Sequence, residues 1–225
     1  MRHLFRAAGV ALLLLSAACR PDQIEHLKES QRIGIEAENW QVKRIMPEDL
    51  LRATRWSGDS LTRHADRELR RVLSEKLNEG GVAAALPYCR PETFPTVDSV
   101  AKILQANARR VSSKPRNPAH LAKLTAADLQ PDTARQIARP NTETFFYQRP
   151  ITVSDALCLR CHGEPGQDIS AADYALIRKK YPQDQATGYA LGQSMGVWRL
   201  TLKRPGVAEF WTMKTRKLPR HRTTR

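Results

Sequence analysis

Apolar residues recur along this chain in two different periods, and the change of period divides it. Between Leu61 and Leu77 they fall at Leu61, Ala65, Leu69, Val72/Leu73 and Leu77, the spacing of one helix face. Ser57, Asp59 or Ser60 can cap this helix and Gly80-Gly81 ends it, while an earlier helix runs from Asp22 to about Arg44 and stops near Met46-Pro47. Val82 to Tyr88 predicts a short helix with Cys89 at its end, and Val97 to Asn107 another. The period then shortens. Ala108 to Ser112 reads as a short strand, and Pro115 and Pro118 hold Lys114 to Ala119 in a loop. Thr125 to Asp128 is a capped helical start, Thr144 to Val153 is β-rich, Ala171 to Lys180 is helical, and Met195 to Lys203 alternates like a half-buried strand. The order predicts an α+β chain: long N-terminal helices, then an antiparallel sheet with flanking helices.

The two ends carry different signals. Arg2 and Arg6 precede an apolar run, Ala7 to Leu15. That run is far shorter than the about 20 residues a bilayer span needs, and it suits a secretory signal. Ser16-Ala17-Ala18-Cys19 follows, similar to a bacterial lipobox in which Cys19 is lipidated. The expectation is a signal peptide over 1–18 and an exported, membrane-anchored protein of the periplasm, held at the outer membrane. Residues 19–79 are then a helical arm, 80–205 the core domain and 206–225 a basic, disordered tail. The 225-residue chain has 37 Lys and Arg against 23 Asp and Glu, a net charge of +14, and six of those cations lie between Lys214 and Arg225. Export argues against nucleic acid as the partner and leaves anionic lipid or an acidic redox or signalling protein. A long helix with an apolar face ahead of the core suggests a homodimer.

Cysteine usage narrows the chemistry. Of four cysteines, lipidation of Cys19 leaves Cys89, Cys158 and Cys161, an odd number that fits no simple disulfide framework. Cys158-Leu159-Arg160-Cys161-His162 admits three readings. As a haem c anchor, the two thiols add to the two vinyl groups and His162 ligates the iron. As half a zinc site it needs two further ligands, and no second Cys or His pair exists. As a redox dithiol it would open a helix, which Gly163-Glu164-Pro165 interrupts. Export favours the first, one covalent haem c. On spacing alone, Met46, Met195, Met213, His64 or His120 can each supply a second axial ligand.

Four stretches carry a resemblance: "AAALPYC" ending at Cys89, "RRVSSKPRNPAH" from Arg109, "FFYQRPITVSDALCLRCHGEP" from Phe145 and "YPQDQATGYALGQSMGVW" from Tyr181. Together, in this order, they resemble the family of single-haem c-type domains with a PAS-like fold, found alone in bacteria and as input modules of membrane sensors. The resemblance implies haem bonded to Cys158 and Cys161, with His162 as one axial ligand and Cys89 as the other. It implies that Arg116, Asn117 and Pro118 form a loop beside the haem, with Arg116 paired to a propionate, and that Tyr189 packs near the haem. Met195 stands where the family carries an arginine, so Met195 and His120 remain rival ligands. The expected function is an extracytoplasmic monohaem cytochrome in electron transfer, the alternative a haem-based redox or gas sensor acting through a partner. No catalytic constellation beyond the haem is visible.

Overall fold

The structure is a computed structural model that describes residues 30–40, 44–130 and 136–217. The signal segment, Cys19 and the final part of the basic tail lie outside the described residues. The chain divides into two compact units, Met1–Arg44 with Thr215–Arg225, and Ile45–Lys214. In the first, helix α1 (Ser30–Trp40) carries Asn39, which exchanges hydrogen bonds with the main chain of Lys217 at 2.9 and 3.1 Å, and Lys217 pairs with Glu38 at 2.7 Å.

The second unit is built on a long helix, α2 (Pro47–Ala85). Its buried face mixes Leu50 and Leu61 with small residues, Ala53, Thr54, Ser57, Gly58, Thr62 and Ala65. The hydroxyls of Thr54, Ser57 and Thr62 bond to carbonyls of their own helix at 2.7–2.8 Å, so they are buried without needing a neighbour. At Gly58 the helix lies directly on the Tyr147 ring; a Cβ there would stand 2.3 Å from Tyr147 Cγ. That contact corrects the expected division between a helical arm ending at residue 79 and a core beginning at 80. The first half of α2 packs with Phe145, Tyr147, Trp198, Leu200 and Leu202 in one core. Gly80 and Gly81 do interrupt the helix, Gly81 at φ 64°, where a side chain would be strained. Beyond them a short helical stretch and a 3-10 turn (Leu86–Tyr88) deliver Cys89.

Helix α3 (Pro95–Ile103) leads into a four-stranded antiparallel sheet: β1 (Ala106–Val111), β2 (Gln136–Ala138), β3 (Thr144–Thr152) and β4 (Ser194–Lys203), in the order β1-β4-β3-β2. Between β3 and β4 come α4 (Ala156–His162) and α5 (Ala171–Lys180). The α+β expectation therefore holds, with the sheet flanked by helices. In register, Arg110 of β1 and Arg149 of β3 both pair with Trp198 of β4, which puts the three side chains in one row on one face. A last helix, α6 (Arg204–Thr215), occupies much of the stretch expected to be disordered. Its Val207 and Phe210 are buried, and Gly206 lies so close to the Leu104 carbonyl that a Cβ would stand 2.1 Å away. Two apolar residues three apart anchor that helix despite its basic surroundings. Among the described residues no helix is long and apolar enough to cross a membrane.

Candidate functional site

Asp155 caps α4 by accepting a hydrogen bond from the Leu157 N–H at 2.9 Å, and the helix then presents Leu157, Cys158, Cys161 and His162 to a cavity of about 700 Å³. That size falls in the about 300–1,000 Å³ range of cofactor sites. Its apolar wall is Leu69, Leu73 and Leu77 of α2 with Leu86, Ile151 and Leu157. Its charged wall carries six arginines (63, 67, 70, 110, 116 and 149) against Asp66 and Asp155. A smaller cavity of about 120 Å³ shares Leu86, Cys89, Arg110, Arg116, Ile151, His162 and Met195 with it.

His162 is held for ligation. Its Nδ1 lies 2.7 Å from the Ala186 carbonyl oxygen. A carbonyl only accepts, so Nδ1 carries the proton and Nε2 keeps the lone pair. Removal of the ring from water, and then the Arg116 charge, push its pKa down to about 3, so the imidazole is neutral at physiological pH, as ligation requires. The Tyr189 N–H donates to the His162 carbonyl at 2.9 Å and the Gly188 N–H to that of Gly163 at 2.9 Å. Gly188 sits at φ 76°, which favours glycine. Arg116 stitches the same parts together from the other side. Its Nη2 donates to the Cys161 carbonyl at 2.5 Å and more weakly to that of Ala186 at 3.4 Å, and lies 3.2 Å from Asp184 Oδ2. Asp184 Oδ1 in turn accepts the Ala186 N–H at 2.9 Å. The Ala186 carbonyl thus serves the ligand and the arginine together. The Arg116–Asp184 contact is a charge contact without hydrogen-bond geometry: Arg116 Nε and Nη1 and Asp184 Oδ2 are buried and lack hydrogen-bond partners.

Cys89 approaches the same cavities from the end of the 3-10 turn. A second arginine fixes it. Arg110 Nη2 donates to the Cys89 carbonyl at 2.5 Å, while its Nε pairs with Glu92 at 3.1 Å and its guanidinium lies 5.8 Å from the Trp198 ring centre. Two arginines therefore each clamp a main-chain carbonyl of a cysteine. Arg110 carries no sequence signal beyond its place in a strand, because its partner Glu92 lies 18 residues away in the 3-10 turn Pro91–Thr93.

The thiols bear on the redox-dithiol reading. Burial pushes the Cys158 thiol above its ordinary pKa and that of Cys161 up to about 11. A redox dithiol needs the opposite, a stabilised thiolate. Among the described residues no group of three His, Cys, Asp or Glu side chains is placed to hold a metal ion by itself. A porphyrin supplies most of its own iron's ligands, and the donor set of one neutral imidazole, the Cys89 thiol and the two cysteines beside His162 on one cavity fits such a group.

The structure brings Cys158, Cys161, His162, Cys89, Arg116 and Met195 to one cavity, and Asn117 and His120 to the smaller one. Asn117 caps the 3-10 turn Pro118–His120, accepting from the Ala119 N–H at 3.1 Å. Met46 and Met213 are exposed, and His64 lines neither cavity. Tyr189 lines neither cavity but is buried beside them with Val153 and Ala186, in a cluster that Cys158 and Met195 pack against, and its main chain steadies His162. Arg116, expected at a propionate, is already held by Asp184 and the Cys161 carbonyl.

A family model described as Tll0287-like matches residues 54–202. Among solved structures the chain is similar to the crystal structure of the cyanobacterial heme-protein Tll0287, at 25% identity and a TM-score of 0.42, covering 71% of this chain and 97% of that one. No curated protein matches.

Proposed function

This chain belongs to the Tll0287-like family, and from that membership and its site we propose that it is an extracytoplasmic monohaem c-type cytochrome working in electron transfer. The observation that carries the reading is the His162 Nδ1–Ala186 contact of 2.7 Å, which leaves Nε2 as the free lone pair of a neutral ring on a 700 Å³ cavity shared with two neighbouring thiols. Cys158 and Cys161 would hold the haem through thioether bonds to its vinyl groups, and His162 Nε2 would ligate the iron. Bound there, haem c supplies a one-electron couple. Cys89 would supply the second protein ligand. It lines both cavities, and as a thiolate it favours the ferric state and a low potential. Met195 lines both as well and is the rival. With both residues ligating, the iron would be closed to substrates, which suits a carrier. An N-terminal export signal and lipidation at Cys19 place the protein on the periplasmic side of a membrane, and its basic surface suits an acidic redox partner.

Absorption spectra of the purified holoprotein, oxidised, reduced and reduced with CO, test this. A Soret band that survives denaturing extraction is expected in the wild type and not after Cys158→Ser/Cys161→Ser. A wild type without a covalently held chromophore refutes the assignment. Prompt CO binding on reduction replaces the carrier reading by the sensor one. An unchanged ferric spectrum in Cys89→Ala removes Cys89 as ligand.

A further inference from the structure

We infer that Arg63, Arg67 and Arg70 of α2 are the binding site for the carboxylates of the haem, a role Arg116 does not fill. The inference rests on the haem reading and deepens it. A haem brings two propionate carboxylates into a site, and the cavity wall is correspondingly cationic, with six arginines against two aspartates. Three of the six are already neutralised: Arg110 by Glu92, Arg116 by Asp184, and Arg149 by Asp66, with Arg149 Nε also donating to Thr62 Oγ1 at 2.9 Å. Arg116 retains two buried N–H groups without a partner, but its charge is balanced by Asp184. A neutral acceptor satisfies those groups; a carboxylate there would face Asp184.

Arg63, Arg67 and Arg70 have no ion-pair partner among the described residues. They recur at the i, i+4, i+7 spacing of one helix stripe, and all three line the larger cavity. Beside them Leu69, Leu73 and Leu77 form a parallel apolar stripe on the same cavity. One helix therefore offers a greasy strip and a cationic strip side by side, which matches a flat apolar ring with anionic arms. Bidentate guanidinium–carboxylate pairing gives such arms a defined geometry. Arg63 and Arg67 are exposed and Arg70 half-buried, so the site opens at the cavity mouth, where long side chains can close over the ring edge. The smaller cavity offers two further cations, Arg90 and Lys114, and its about 120 Å³ is too small for the ring itself.

The pairing has an electrostatic consequence. Cations beside the ring favour the added electron and hold the carboxylates ionised. Holoprotein carrying R63Q/R67Q/R70Q is compared with wild type and with R63K/R67K/R70K. Midpoint potential is measured from pH 5 to 9, propionate vibrational bands by resonance Raman, and melting temperature as a fold control. The expected result is a more negative potential in the glutamine variant, a pH-dependent step displaced to higher pH, altered propionate bands, and partial recovery in the lysine variant. Unchanged potential and bands in a folded glutamine variant overturn the inference. So does an equal displacement in R90Q/K114Q, which would put the carboxylates in the smaller cavity. Wild type lacking covalent haem would instead refute the cofactor assignment, before any arginine is changed.

Discussion

Asp184→Asn isolates the charge that stabilises the proximal wall. Asn retains an acceptor for the Ala186 N–H, so the turn that presents the Ala186 carbonyl to His162 keeps its 2.9 Å bond. What disappears is the counter-charge of Arg116, whose side chain is only 11% exposed and whose Nε and Nη1 have no partner. Removing one member of a buried pair costs about 3–5 kcal/mol, because the remaining charge is stranded. This pair is a 3.2 Å charge contact without hydrogen-bond geometry, so the low end, about 3 kcal/mol, is the expected loss. For a folded unit of this size that corresponds to a melting temperature lower by about 6–12 °C. Thermal unfolding followed by circular dichroism reads it. The double variant Arg116→Met/Asp184→Asn supplies the decisive comparison: with both charges gone, much of the stability should return, giving a coupling of about 1–3 kcal/mol. Strictly additive losses, or a melting point for Asp184→Asn within 2 °C of wild type on the same scale, would refute the idea that a stranded guanidinium dominates.

Arg110→Met removes the donor to the Cys89 carbonyl and strands half-buried Glu92; the holoprotein should show a mixed ferric ligation spectrum and faster CO binding, while Arg110→Lys restores only part of the wild-type spectrum. Gly58→Ala sets a helix-propensity gain of about 1 kcal/mol against overpacking of about 1–3 kcal/mol. With the added Cβ 2.3 Å from a ring tethered to Asp59 at 2.6 Å, overpacking wins and urea unfolding should show net destabilisation; a stabilised variant contradicts the packing argument. Main-chain and side-chain hydrogen bonds from Thr125 hold the Asp128 carboxyl below the usual range. A depressed carboxylate contributes stability that is present above its unfolded pKa of about 3.9 and is lost as pH falls through the folded value. Urea midpoints measured from neutral pH downward should therefore fall less steeply at the acid end in Asp128→Asn than in wild type.

What could be read from the sequence depended on how local the signal was. The Cys158–His162 spacing is a property of one helical turn, and the structure places all three side chains on one cavity. Helix α5 covers Ala171–Lys180, the span the sequence predicts, and Ser170 caps it. The arm boundary failed for a different reason. The face of α2 that meets the sheet is made of Ala53, Thr54, Ser57, Gly58 and Thr62, and a scale that scores apolar bulk reads those positions as neutral, although small size is what allows the close approach to Tyr147. Helix α6 was hidden likewise, its Val207 and Phe210 outweighed in composition by the basic run that follows. The two arginine clamps were out of reach in principle. Arg116 bonds to a carbonyl 45 residues away and Arg110 to one 21 residues back, and main-chain acceptors have no identity in a sequence.

Charge is where structure and sequence part most usefully. A net +14 invites a search for an external anion, and the C-terminal cations encourage it. Yet Arg110, Arg116 and Arg149 are largely buried and spent inward, each on one carboxylate, and two of them also on a cysteine carbonyl. Such pairs contribute little net stability compared with apolar packing of the same volume. Their value is positional: they fix two segments about seventy residues apart in sequence, Cys89 and the Cys158–His162 helix, on either side of one cavity. Positive residues on the cavity are thus divided between those paired inward with carboxylates and those on α2 that have no ion-pair partner among the described residues.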